Sequence, residues 1–204
     1  MLTFDPIPLP RFVGRPVEAP KPPPKIHSLT ELQNEVVHPR VVGTLRTVSR
    51  QLHDAQIRHA VLGAIAVGHH GWPRATSDVD LLLGPEAWTT HPDGSTTPNL
   101  ELPETVNGVR VDYLPVDVAG DFLIESFARA PVTEGVPIAP IEVVILTKLI
   151  RLLTRDHADV VELVKTGLFE TQLVDDYLER HAPMLTPRFR LLVEQAHKEN
   201  QRGS

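Results

Sequence analysis

No cysteine occurs anywhere in the chain. Disulfides and thiolate-bound metals are therefore excluded. No apolar run approaches the ~20 residues that a membrane-spanning helix needs, so no membrane partner is expected. Positive charge is also scarce: 20 Lys and Arg stand against 26 Asp and Glu, for a net charge of −6. Bulk electrostatics do not draw such a chain onto nucleic acid, and any contact of that kind needs a local basic patch. The opening residues lack the basic-then-apolar order of a secretory leader, which makes a cytoplasmic protein the expectation. No repeat period is visible.

Proline, by contrast, is plentiful, with 20 residues in a chain of 204. It punctuates residues 1 to 26, ending in Pro22-Pro23-Pro24. Proline donates no backbone hydrogen bond and favours extended conformations, so this segment is read as a tail or surface arm. The remainder divides into an α+β domain over 27–139 and a helical segment over 140–204.

Ser28-Leu29-Thr30-Glu31 has the pattern of a capping box opening a short helix, broken near Pro39. Val41, Leu45, Val48 and Leu52 recur at helical spacing and predict an amphipathic helix over 40–55. Ala60 to Leu62 reads as a short strand, Ala64 to His70 as helical turns and Asp78 to Leu83 as a second strand. Glu86 to Thr90 is expected to be a helical turn, and His91 to Pro98 a loop. Residues 100–102 and 109–114 are expected to form a hairpin around Asn107-Gly108. Residues 121–129 read as a helix, and Val136 to Ile138 as a brief extended piece. Helices are then predicted at about 141–155, 157–166, 170–181 and 186–198, with Gly167 closing the second. Early strands and late helices indicate an α+β fold: a small mixed sheet flanked by helices, with a C-terminal helical segment.

The chemistry concentrates in Thr76-Ser77-Asp78-Val79-Asp80-Leu81-Leu82-Leu83. Residues i and i+2 of a strand share a face, so Asp78 and Asp80 point the same way while Val79, Leu81 and Leu83 face the opposite side. Two carboxylates this close repel, and a shared divalent cation relieves that repulsion. Mg²⁺ suits them because it takes hard oxygen ligands and leaves positions for phosphate and water. Asp112, in Val109 to Leu114, joins the cluster if its strand pairs beside the first. A third carboxylate is what two-metal phosphoryl transfer requires, and Asp112 would then be a metal ligand and a candidate general base. Upstream, Leu62-Gly63-Ala64 places a glycine turn between a strand and a helix, where backbone N–H groups can cradle phosphate.

The stretch from Val61 to Leu83, VLGAIAVGHHGWPRATSDVDLLL, resembles the signature of the DNA polymerase beta-type nucleotidyltransferase superfamily. The likeness is greatest to small bacterial members related to abortive-infection and toxin–antitoxin systems. It spans about residues 40 to 165. It implies a nucleotidyltransferase fold, a nucleoside triphosphate as substrate, Mg²⁺ as cofactor, and Asp78, Asp80 and Asp112 as the catalytic carboxylates. Gly63, Ala64, Arg74 and Thr76 fall where that family meets the nucleotide. The family often has serine or a second glycine where this chain has Ala64; the backbone donors survive that change and the hydroxyl does not. Farther on, Thr147 to Asp159 is similar to the family's later Lys, Arg-Asp and Asp pattern, which makes Lys148 a candidate for the triphosphate. Lys148 lies off the apolar stripe of Ile145, Leu149, Leu152 and Leu153, so its removal is expected to leave no cavity. Arg151 and Arg155 are read as a solvated basic face packed beside Asp156 and Asp159 as local ion pairs, an alternative equally open for Lys148; His69, His70 and Trp72 are read as packing residues, and Arg74 as a partner of either phosphate or Asp78 or as a surface residue.

Three functions remain open. An enzyme would transfer a nucleoside monophosphate to an acceptor hydroxyl on RNA, a protein or a small molecule. A non-catalytic relative would serve as an antitoxin or binding module. Metal-dependent phosphoester hydrolysis is a third use of a carboxylate cluster.

Overall fold

The computed structural model describes residues 24–99, 101–116, 120–151 and 153–203. Most of the proline-rich segment, residues 1–23, lies outside them. Helix α1 (Leu29–Glu35) starts on the expected capping box: the Ser28 hydroxyl accepts from the Glu31 N–H and the Glu31 carboxylate accepts from the Ser28 N–H. Pro39 opens α2 (Pro39–Asp54) rather than only ending what precedes it. The first helical position has no intrahelical use for an N–H, so proline is tolerated there. Val41, Leu45, Val48 and Leu52 are all buried.

A four-stranded mixed sheet forms the centre, its strands lying in the order His59–Val61, Asp78–Leu83, Val109–Pro115 and Thr105–Val106. Strand β1 (His59–Val61) runs antiparallel to β2 (Asp78–Leu83), which runs parallel to β6 (Val109–Pro115), and β5 (Thr105–Val106) closes against β6 as a hairpin. Helix α2 packs across β1, β2 and β6, while α3 (Gly63–His69) packs on β2. Val79, Leu81 and Leu83 are buried, as their shared face predicts, and Leu82 is buried too. The face that carries Asp78 and Asp80 therefore turns apolar beyond Asp80, which confines the carboxylates to the entering end of β2.

Several expected elements differ. Pro85–Ala87 is a short 3₁₀ turn, followed by a hairpin of β3 (Trp88–Thr90) and β4 (Thr96–Pro98) where a helical turn and a loop were expected. The first strand of the Asn107-Gly108 hairpin is Thr105–Val106, and Glu101 and Leu102 lie in no strand. Asp121–Glu125 is 3₁₀ and only Ser126–Arg129 (α4) is α-helical. Strands β7 (Val132–Thr133) and β8 (Val136–Pro137) pair with each other, and Ile138 bridges Val61.

The C-terminal portion is helical as expected: α5 (Ile141–Arg151), α6 (Thr154–Thr166), α7 (Thr171–His181) and α8 (Thr186–Gly203). Gly167 ends α6 with φ +64, the left-handed stop that glycine permits. Helix α5 ends at Arg151 and α6 begins at Thr154, where the break was expected at 156. Leu153 is the N-cap residue that precedes α6 and is exposed, so it does not belong to the apolar stripe of α5. Leu152 lies outside the described residues. No helix among the described residues is long and apolar enough to cross a membrane.

Candidate functional site

The sheet end that holds Asp78 and Asp80 opens into a cleft of about 370 Å³. Its floor is the β1–α3 turn and the start of β2. Gly63 sits there with φ +61, and a Cβ built on it would lie 1.7 Å from the Asp80 carboxylate. Glycine is thus required twice: for the left-handed backbone and for the close approach of Asp80. The Leu62 N–H donates to the Asp80 carbonyl at 2.9 Å, fixing the turn to the strand. Ala64 also lines the cleft and is buried. Thr76 donates its hydroxyl hydrogen bond to Asp78 Oδ1 at 2.5 Å.

The register of β2 and β6 places Asp80 opposite Asp112. Side chains opposite each other in a parallel pair share a face, so the third aspartate stands beside the other two. Its carboxylate pairs with Arg110, two residues back on the same face. Among the described residues, no three His, Cys, Asp or Glu side chains are gathered as a ready metal-ligand set. The donors themselves are the hard oxygens that Mg²⁺ takes. Burial pushes the Asp80 carboxyl above its ordinary value, the charges of Asp78 and Asp112 push it the same way, and Arg151 and Lys148 oppose them. A buried anion crowded by like charge is the setting in which a cation is best received.

The opposite wall is cationic. Arg74, Lys148, Arg151 and Arg155 all line the cleft. Lys148 is buried, with its ammonium 2.7 Å from Asp156 Oδ1 and 2.7 Å from Asp159 Oδ2. Arg74 grips Asp159 through two hydrogen bonds of 2.8 and 2.9 Å. Arg151 Nη1 is 4.0 Å from Asp80 Oδ1, and its Nε is 3.7 Å from Asp156 Oδ2. Charges alternate along this wall, from Arg74 through Asp159, Lys148, Asp156 and Arg151 to Asp80.

All five residues singled out for the nucleotide, Gly63, Ala64, Arg74, Thr76 and Lys148, line this one cleft, as do Asp78 and Asp80. Asp112 adjoins it through the strand register. Arg74 pairs with Asp159, a partner outside the two expected for it. Lys148 occupies a buried position and is not on a solvated face. Arg151 and Arg155 belong to the cleft as well; their spacing in the sequence marked a common face, and nothing in it marked what that face looks onto. His69 and His70 are packing residues: each has a ring nitrogen bonded to a backbone carbonyl, of His27 and Ala139 respectively.

No protein-family model matches the chain, and no curated protein does. Among solved structures, it is similar to the crystal structure of an antigenic nucleotidyltransferase-like protein from Paracoccidioides brasiliensis. The two are 16% identical over 72% of this chain and 93% of that one, with a TM-score of 0.36. At that level of likeness, function has to be read from the cleft.

Proposed function

We propose that the chain is a nucleotidyltransferase that moves a nucleoside monophosphate from a nucleoside triphosphate to an acceptor hydroxyl. One observation carries the reading. A glycine turn with a left-handed residue, an Asp-x-Asp strand start and four basic side chains converge on a single cleft. The turn and the basic wall suit the triphosphate, and the carboxylates suit its metal. Asp78 and Asp80 would hold Mg²⁺, joined by Asp112 once it exchanges its contact with Arg110. Bound there, Mg²⁺ would neutralise charge on the phosphates and favour ionisation of the acceptor hydroxyl.

In the transfer, the acceptor oxygen bonds to the α-phosphorus, the bond to the bridging oxygen breaks and pyrophosphate leaves. The hydroxyl proton passes to Asp112 or to water. Arg151 and Arg155, at the open side, would orient the departing phosphates. On the resemblance of the Val61 to Leu83 stretch, we group the chain with the small bacterial nucleotidyltransferases related to abortive-infection and toxin–antitoxin systems, acting in the cytoplasm on RNA, a partner protein or a small molecule.

The test is to incubate the chain with each common nucleoside triphosphate labelled at the α-phosphate, Mg²⁺ and a cell extract. Label should appear on an acceptor with the wild type and not with Asp78→Asn or Asp80→Asn. If the wild type transfers no label and shows no Mg²⁺-dependent nucleotide binding, the enzymatic reading fails.

A further inference from the structure

The geometry points to Asp159 as a positioning residue of the nucleotide site, acting through Arg74; this rests on the nucleotidyltransferase reading above. Residues 71–77 connect α3 to β2 without forming a helix or strand, yet they supply Arg74, Ala75, Thr76 and Ser77 to the cleft. A connecting segment of that kind is among the first parts of a fold to open unless something ties it down. Asp159, on α6, provides a tie from 85 positions away in the sequence. Its carboxylate is almost fully buried and meets the Arg74 fork edge-on, through Nε and Nη2. Paired charged groups in this geometry make strong, directional hydrogen bonds.

The same carboxylate lies 2.7 Å from the Lys148 ammonium. One buried anion therefore sets the position of two cations on the cleft wall. The Arg74 guanidinium has five N–H donors in all. Asp159 and the Ala75 carbonyl account for three of its hydrogen bonds, which leaves donors for an anionic ligand. Asp78 and Asp80 line the same cleft, so a guanidinium released from Asp159 has two other carboxylates to turn to. In that position it would neutralise the residues proposed to hold the metal. Asp159 thus keeps Arg74 aimed at phosphate and away from the carboxylates opposite. It touches no reacting atom itself.

A double-mutant cycle on the full chain tests this. Dissociation constants are measured by calorimetry for the magnesium complexes of the four common nucleoside triphosphates, well below each variant's melting temperature. Asp159→Asn and Arg74→Gln should each weaken binding about tenfold, the scale of one charge-assisted hydrogen bond. The double variant should bind no more weakly than Asp159→Asn alone, because without Asp159 the Arg74 guanidinium is no longer held toward the ligand. Arg74→Gln keeps the Asp159–Lys148 pair, so it gives a readable result even if Asp159→Asn folds poorly. Wild-type affinity in either single variant, or losses that multiply to about a hundredfold in the double, would overturn the positioning role. A wild-type chain that binds none of the four nucleotides would overturn the nucleotidyltransferase reading, and this inference with it.

Discussion

Replacing Lys148 with methionine keeps most of the side chain's length and removes its charge. The ammonium lies between Asp156 and Asp159, with the three side chains 4%, 0% and 3% exposed. Asp159 would retain Arg74. Among the described residues, Asp156 would keep only Arg151, at 3.7 Å, and its Oδ2 already lacks a hydrogen-bond partner there. Removing one member of a buried ion pair costs about 3–5 kcal/mol, because the remaining charge stays out of water unpaired. For a chain of this size each kcal/mol moves the melting temperature by about 2–4 °C. The expected fall is therefore about 6–20 °C, read by calorimetry or circular dichroism. Adding Asp156→Asn to Lys148→Met should recover part of it, since the stranded charge is then gone. If Lys148→Met melts within about 2 °C of the wild type, the buried charge chain does not exist in solution. This replaces the expectation from the sequence, in which the lysine stood clear of the core.

Two further outcomes follow from the cleft. Burial and neighbouring anions raise the Asp80 carboxyl, so its ionisation opposes folding: the penalty is full above the raised value and vanishes below the ordinary carboxylate range near pH ~4. Asp80→Asn should then raise the metal-free melting temperature at pH 7–8 and lose that advantage by about pH 4, while abolishing stabilisation by Mg²⁺ and nucleotide; equal shifts at both pH values would contradict the cause assigned. Gly63→Ala forces a β-carbon into a left-handed position and onto the Asp80 carboxylate; urea unfolding should show a loss of at least about 1–2 kcal/mol from the backbone alone, and a neutral result would mean that the turn is not held as described.

Much of this site was legible because its signals are local. The alternation of Asp78, Val79, Asp80 and Leu81 announces one strand and the face its carboxylates share. Asn107-Gly108 announces a two-residue turn, and both residues do adopt positive φ. That turn pairs Val106 directly with Val109, so Leu102 lies too far upstream to be in the first strand; Leu100 lies outside the described residues. The β3–β4 hairpin gave no such signal. It pairs Trp88-Thr89-Thr90 with Thr96-Thr97-Pro98, and β4 is exposed throughout. Without a buried face, no apolar alternation distinguishes such strands from a loop.

The burial of the charges on the cationic wall was hidden for a different reason. Between Arg151 and Thr154 there is neither glycine nor proline, and Leu153, the N-cap residue that precedes α6, makes no side-chain cap. In one continuous helix, Lys148 and Asp156 would stand eight residues apart, about 12 Å along the axis at 1.5 Å per residue. The observed contact is 2.7 Å. The interruption between the end of α5 at Arg151 and the start of α6 at Thr154 is what permits it: α6 turns back against α5 and brings Asp156 and Asp159 to the lysine. The same turn places Arg155 on the cleft, as a residue of α6 and not as the next step of a helical face. Opposite charges at i and i+8 give no helical pairing signal, since neighbours on a helix surface are three or four residues apart. The ion pairs and the break therefore imply each other. A local reading of the sequence sets Asp156 and Asp159 beside the basic residues as ion pairs on a solvated face; that these pairs are buried follows only once α6 is known to turn back against α5.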